Sequence, residues 1–174
     1  MWNYNGSIRP PFAIEPSIGQ ESVWDYPRPP KITIDAREIV ITWNGVEIAR
    51  TIKAIRICET ASPPTYYIPQ IDINMECLVQ VPGASFCEWK GMASYWSVMV
   101  NGEQLTKVGW SYKSPNEAFN DIKDHIAFYA KPMLCTIDNE EVLPQDESGF
   151  YGGWVTSEIV GPWKGGDDTR ANGL

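Results

Sequence analysis

Two Asn-Gly dipeptides, Asn44-Gly45 and Asn101-Gly102, constrain this 174-residue chain more than any other feature. Asn-Gly supplies the two positive φ angles of a type I′ turn, so each pair predicts a tight β-hairpin when alternating runs flank it. They do. Ile39, Ile41 and Trp43 share one parity before Asn44, and residues 46–52 form the return arm. A second hairpin is predicted over 86–110, kinked at Gly91 and turned at Asn101-Gly102, with Trp89, Tyr95, Trp96 and Trp110 on its arms. Further strands are expected at 54–59, 66–69, 127–129, 133–137 and 141–143. One helix is predicted, from the Ser114-Pro115-Asn116-Glu117 start to about residue 124 or 125, burying Ala118, Phe119 and Ile122. About nine short strands with no βαβ rhythm predict a mainly β fold, an antiparallel barrel or sandwich. Fourteen Gly, fourteen Pro and 12% aromatic residues fit short strands with stiff turns and exclude a helical bundle.

The chain reads as a single β domain over 23–166, with an N-terminal extension at 1–22 and a flexible acidic tail at 167–174. The extension lacks periodicity and is broken by Pro10, Pro11 and Pro16. Trp24 to Pro30 should be polyproline-like, and single helical turns are expected near 72–75 and after Thr156.

Twenty-two acidic against fourteen basic residues give a net charge of −8, which repels a phosphate backbone, so no nucleic-acid partner is expected. No apolar run of about eighteen residues and no secretory signal are found, so no membrane partner and a cytoplasmic location are expected. Cys58, Cys77, Cys87 and Cys135 never fall two or three residues apart and His125 is the only histidine, so zinc is not expected and no cofactor is assigned. His125, at a predicted helix end, reads as structural more readily than catalytic. Asp167-Asp168 and the acidic residues at 138–141 read as solvated. No nucleophile elbow, phosphate loop or dinucleotide fingerprint is present.

Three constellations could carry chemistry. In the first, Glu59 ends a strand and is followed by Pro63, Pro64, Tyr66 and Tyr67, with the two tyrosines facing opposite ways. This is a pocket wall or a rigid loop closing a barrel end. In the second, strand alternation over 86–91 places Glu88 and Lys90 on one face, either as a solvated edge or as a polar anchor in an aromatic pocket. The third is a surplus of Trp and Tyr, including Trp96, Tyr112 and Trp154, whose N–H and O–H groups want partners when buried.

Six motifs in order carry a resemblance: VWDYPRPP (23–30), ETASPPTYYIP (59–69), FCEWKGMASYWSV (86–98), WSY (110–112), HIAFY (125–129) and FYGGWVTSEIVGPWKGG (150–166). Together they resemble domain of unknown function four-two-seven, a family that some catalogues label a nucleotidyltransferase domain. The resemblance implies a β-tent fold, a small pseudo-barrel of two antiparallel sheets akin to methionine sulfoxide reductase B and the thalidomide-binding domain of cereblon. Relatives in that fold hold zinc on paired CxxC knuckles, which this chain lacks. The family establishes no activity. The label demands carboxylates for Mg²⁺ and a Gly-Ser turn for the triphosphate, and neither is found.

The reading that follows is a small-molecule-binding β domain, its aromatic pocket lined by Arg28, Glu59, Tyr67, Glu88, Lys90, Trp96, Tyr112 and Trp154. Two alternatives are an enzyme, either a metal-dependent nucleotidyltransferase or an acid/base catalyst using Glu59 or Glu88, and a protein-interaction module presenting exposed aromatics.

Overall fold

A computed structural model describes residues 3–166. The strands in chain order are β1 (Glu21–Ser22), β2 (Lys31–Asp35), β3 (Ile39–Trp43), β4 (Val46–Thr51), β5 (Ala54–Cys58), β6 (Thr65–Ile68), β7 (Leu78–Cys87), β8 (Gly91–Val100), β9 (Glu103–Ser111), β10 (Ile126–Phe128), β11 (Leu134–Ile137), β12 (Glu140–Glu141), β13 (Leu143–Pro144), β14 (Trp154–Val155) and β15 (Ile159–Val160). Among the described residues the protein is mainly β, built of several sheets that are antiparallel except for the β1–β15 pair, with no closed barrel. A seven-stranded sheet, ordered β2-β5-β6-β10-β9-β8-β7, packs on a four-stranded sheet, ordered β12-β11-β3-β4.

Both Asn-Gly turns form, joining β3 to β4 and β8 to β9, with Asn44 at φ 49° and Asn101 at φ 51°. The first arm of the second hairpin is not one strand from 86: it begins at Gly91 as β8, and the chain before it is a ten-residue edge strand, β7, that is not predicted. Pro82 and Gly83 sit in a bulge between Val81 and Ala84 of that edge, where a missing N–H costs no ladder bond. The structure also corrects the strand reading of 86–91. Glu88, Trp89 and Lys90 are the turn of a hairpin closed by the Cys87–Gly91 pair, so alternation does not apply to them.

The helix expected near 115–125 is present only as 3₁₀ winding at Glu117–Ile122, with non-helical backbone at Phe119 (φ −112°, ψ 17°). Its Asn116 cap makes no side-chain bond to the helix; the Asn116 Nδ2 donates to the Trp89 carbonyl of the neighbouring hairpin. Phe119 and Ile122 are nevertheless buried as predicted, whereas Ala118 is exposed because the 3₁₀ winding turns it outward. The turn expected near 72–75 becomes two 3₁₀ turns, Gln70–Asp72 and Met75–Cys77. After Thr156 the chain extends rather than winds, because β15 pairs in parallel with β1.

Three apolar clusters result. The largest fills the space between the two main sheets, around Ile39, Ile41, Tyr66, Val98, Phe128 and Trp154. The second lies on the other face of the seven-stranded sheet, with Tyr67, Trp110, Tyr112 and Phe119. Successive side chains of a strand point to opposite faces, which is why Tyr66 enters one core and Tyr67 the other. The third joins Val23 and Trp24 to Tyr4, Phe12 and Trp163. Tyr4 and Phe12 meet the Trp24 ring edge-on at 5.5 and 5.4 Å, so the segment before residue 23 lies on the domain. The acidic tail expected at 167–174 lies outside the described residues.

Among the described residues no helix is long and apolar enough to cross a membrane.

Candidate functional site

The Glu59 loop is built by contacts to both ends of the described chain. The Thr60 hydroxyl donates to the Tyr26 carbonyl, Ala61 N–H to the Val23 carbonyl (2.9 Å), and Lys164 N–H to the Ala61 carbonyl (2.9 Å). The β7–β8 turn is held from the other side. Asn116 N–H donates to the Lys90 carbonyl (3.0 Å), and its side-chain amide donates to the Trp89 carbonyl (2.7 Å). Gly91 takes φ +101° there, a conformation that a side chain disfavours.

These two supports bring the turn onto the loop. Trp89 Nε1 donates to a Glu59 carboxylate oxygen at 3.2 Å. Arg28 lies 5.6 Å from the Trp89 ring centroid and bridges the carboxylates, at 3.6 Å to Glu59 and 3.1 Å to Glu88. The Glu59 side chain is 25% exposed and that of Glu88 67%, so Glu59 belongs to the interior of the arrangement and Glu88 to its rim.

Lys90 points the other way from Glu88. Its Nζ lies 3.9 Å from Cys87 Sγ. Burial by itself pushes the Lys90 ammonium down, but Tyr67, Cys87 and Glu59 around it outweigh that and raise it above its ordinary value. Tyr67 is fixed in turn by Trp110, whose Nε1 donates to the Tyr67 hydroxyl at 3.3 Å with the rings edge-to-face at 6.4 Å. The Tyr112 ring lies 6.3 Å from that of Tyr67, and burial, then Tyr67 and Cys87, drive its phenol well above the usual range. Lys164 completes the group: burial pushes its ammonium down against the pull of Glu59, with Arg28 adding to the lowering and Glu88 opposing it.

Six of the eight sequence-named residues, Arg28, Glu59, Tyr67, Glu88, Lys90 and Tyr112, thus meet in one cluster. The other two do not. Trp96 faces the main core and donates to the Ser111 hydroxyl at 2.9 Å. Trp154 is fully buried in that core, donating to the Phe128 carbonyl at 2.7 Å and packing on Tyr66. What reaches the second core from that loop is backbone: a Cβ on Gly152 would overlap the Trp110 ring.

Sequence reasoning missed Trp110, Cys87 and Lys164 as members. Trp110 was findable, since it shares strand parity with Tyr112. Cys87 becomes a neighbour of Lys90 only because 88–90 turn, and nothing local to Lys164 announces its place. The other thiols are buried: burial raises Cys77, pushes Cys58 up to about 11, and takes Cys135 further still. His125 packs its Nδ1 against the Lys123 carbonyl at 3.1 Å, outside the cluster.

A groove of about 1080 Å³ elsewhere on the domain is lined by none of the eight. The Trp110–Tyr129 ring pair, with centroids 4.9 Å apart, stands between it and Tyr67.

Residues 31–140 match the family described as Domain of unknown function (DUF427). The chain belongs to that family. The DUF427 match covers the Glu59 loop, the 88–90 turn, Tyr67 and Tyr112, while Arg28 and Lys164 lie outside it. A search of curated proteins gives no match.

Proposed function

We propose that this DUF427 chain is a small-molecule-binding β domain whose ligand presents an anionic or hydrogen-bond-accepting group to the Lys90 cluster. The observation that supports this is charge in an unlikely place. In a chain of net charge −8, three cations, Arg28, Lys90 and Lys164, gather around two carboxylates at a spot walled by Trp89, Tyr67 and Tyr112. Burying a lysine among phenols adds little to stability that an apolar side chain would not supply, whereas a few convergent polar groups against aromatic walls suit recognition of a small polar molecule.

The test is a melting-temperature screen with small carboxylates and phosphates, run on wild type and Lys90→Met. The reading expects at least one class to raise the wild-type melting temperature in a saturable way and to lose that effect in the variant. Indifference of the wild type to every class rejects it.

Acid/base catalysis at the same cluster is the second reading, favoured by the partly exposed Glu59 carboxylate held by Trp89 and Arg28. Glu88, exposed at the rim, is the weaker candidate. For the nucleotidyltransferase alternative, no group of three or more His, Cys, Asp or Glu side chains able to hold a metal comes together among the described residues. A melting-temperature response to ATP with millimolar Mg²⁺ would revive it. The interaction-module alternative needs exposed aromatics; every described Trp and Tyr is buried or half-buried, and the exposed aromatics are Phe86 and Phe150, on separate segments.

A further inference from the structure

The 1080 Å³ groove is a separate place with its own chemistry. Residues 129–132, 143–149 and 161–166 enclose most of it, and Tyr129, Tyr151, Trp163, Pro132 and Pro162 supply flat apolar walls. Its polar groups are largely committed. Gln145 donates from Nε2 to the Lys164 carbonyl (2.8 Å), accepts on Oε1 from Gly153 N–H (3.1 Å), and accepts on its carbonyl from Trp163 Nε1 (2.9 Å).

Asp146 is the exception. It lines the groove at only 9% exposure. One carboxylate oxygen accepts from the Ser148 hydroxyl, while Oδ1 has no hydrogen-bond partner among the described residues. A buried carboxylate oxygen with nothing to accept from is strongly unfavourable, and such groups are retained where something else supplies the donor. The surroundings specify the sign of that donor. Among the described residues lining the groove, Asp146 and Glu147 face a single cation, Lys131, and the faces of Tyr129, Tyr151 and Trp163 attract cations through their π electrons.

We infer that this groove is a second binding site, for an organic cation with a flat or apolar body, a protonated amine or guanidinium, with Asp146 as its anchor. The ammonium donates to the Asp146 Oδ1 that Ser148 leaves open, and the body lies against Tyr151 and Trp163. Segment 163–165 separates this site from the Lys90 cluster: Trp163 and Gly165 line the groove, and the electrostatic neighbours of Lys164 are Glu59, Arg28 and Glu88. The two sites therefore select opposite charges.

The probes are phenethylamine, with phenethyl alcohol and phenylacetate as the neutral and anionic counterparts, followed by melting temperature and by the Trp163 indole resonance. The amine is expected to shift both saturably and the counterparts to shift neither. Asp146→Asn keeps an acceptor for Ser148 but offers the groove an amide without charge, and should weaken the amine at least tenfold. Tyr151→Leu, a wall change, should weaken it severalfold and keeps the test decisive if the Asp146 variant does not fold. Equal binding of amine and alcohol, undiminished binding to Asp146→Asn, or no response at tens of millimolar amine overturns the inference. None of these outcomes bears on the Lys90 cluster, whose probes are anions.

Discussion

Trp110 Nε1 donates to the Tyr67 hydroxyl at 3.3 Å, edge-to-face, inside the core on the outer face of the seven-stranded sheet. The bond ties β9 to β6 across the intervening β10, and it aims the Tyr67 hydroxyl toward Lys90. Tyr67→Phe leaves a buried indole N–H without its acceptor, so a loss of about 1–3 kcal/mol is expected in urea unfolding. Trp110→Phe should cost less per hydrogen bond lost, since the remaining hydroxyl still has Lys90 beside it.

Gly152 is the close approach that holds the Trp110 ring from the other side. Gly152→Ala should destabilise by about 1–3 kcal/mol through overpacking, because its Cβ would fall on the ring. Gly45→Ala is the control: its φ of +73° carries a backbone penalty of about 1 kcal/mol, but nothing lies within 4 Å of the added Cβ. Near-ultraviolet circular dichroism should change for the first variant and stay unchanged for the second.

How much of this was legible in the sequence depends on whether the controlling contact is local. The Asn44-Gly45 and Asn101-Gly102 turns carry their own φ requirements, so they read correctly without the rest of the fold. Ser114 to Glu117 resembles a helix start, but the segment winds only as 3₁₀ at Glu117–Ile122, with Asn116 bonded to the Trp89 carbonyl, a partner 27 residues away. The 88–90 turn, closed by the Cys87–Gly91 pair with Gly91 at φ +101°, takes Glu88 and Lys90 out of strand alternation. Trp154 joins the sequence-named site as part of the Trp and Tyr surplus. Its indole finds a backbone partner, the Phe128 carbonyl, in the main core, and that pairing has no sequence signature.

Asp35 predicts how the fold responds to acid. Burial pushes its carboxyl up, but two-oxygen hydrogen bonding to Arg37 outweighs that and holds it below its ordinary value. A depressed folded value means the contribution to stability is present above about pH 4, the unfolded value, and is lost as pH falls through the folded one. The urea midpoint of wild type should therefore drop below pH 4, and the gap between wild type and Asp35→Asn should close over the same interval. A gap that persists unchanged at pH 2 contradicts this.

The thiols divide by burial. Cys58, Cys77 and Cys135 are buried and Cys87 is half-buried beside the Lys90 ammonium. A native-state thiol titration at pH 8 should therefore find one fast-reacting group, removed by Cys87→Ser, against four in denaturant. Fast reaction of Cys58, whose thiol burial pushes up to about 11, would show that the Glu59 loop opens in solution.

The most direct test of the central claim is the indole N–H spectrum, because the tryptophans report on separate places. Trp89 and Trp110 mark the Lys90 cluster, Trp96 and Trp154 the main core, and Trp163 the groove. Titration with the small anion that raises the melting temperature should move the Trp89 and Trp110 resonances together and saturably, leave Trp96 and Trp154 in place, and move none of the four in Lys90→Met. An anion that moves Trp163 alone, or moves Trp89 equally in wild type and Lys90→Met, contradicts binding at the cluster.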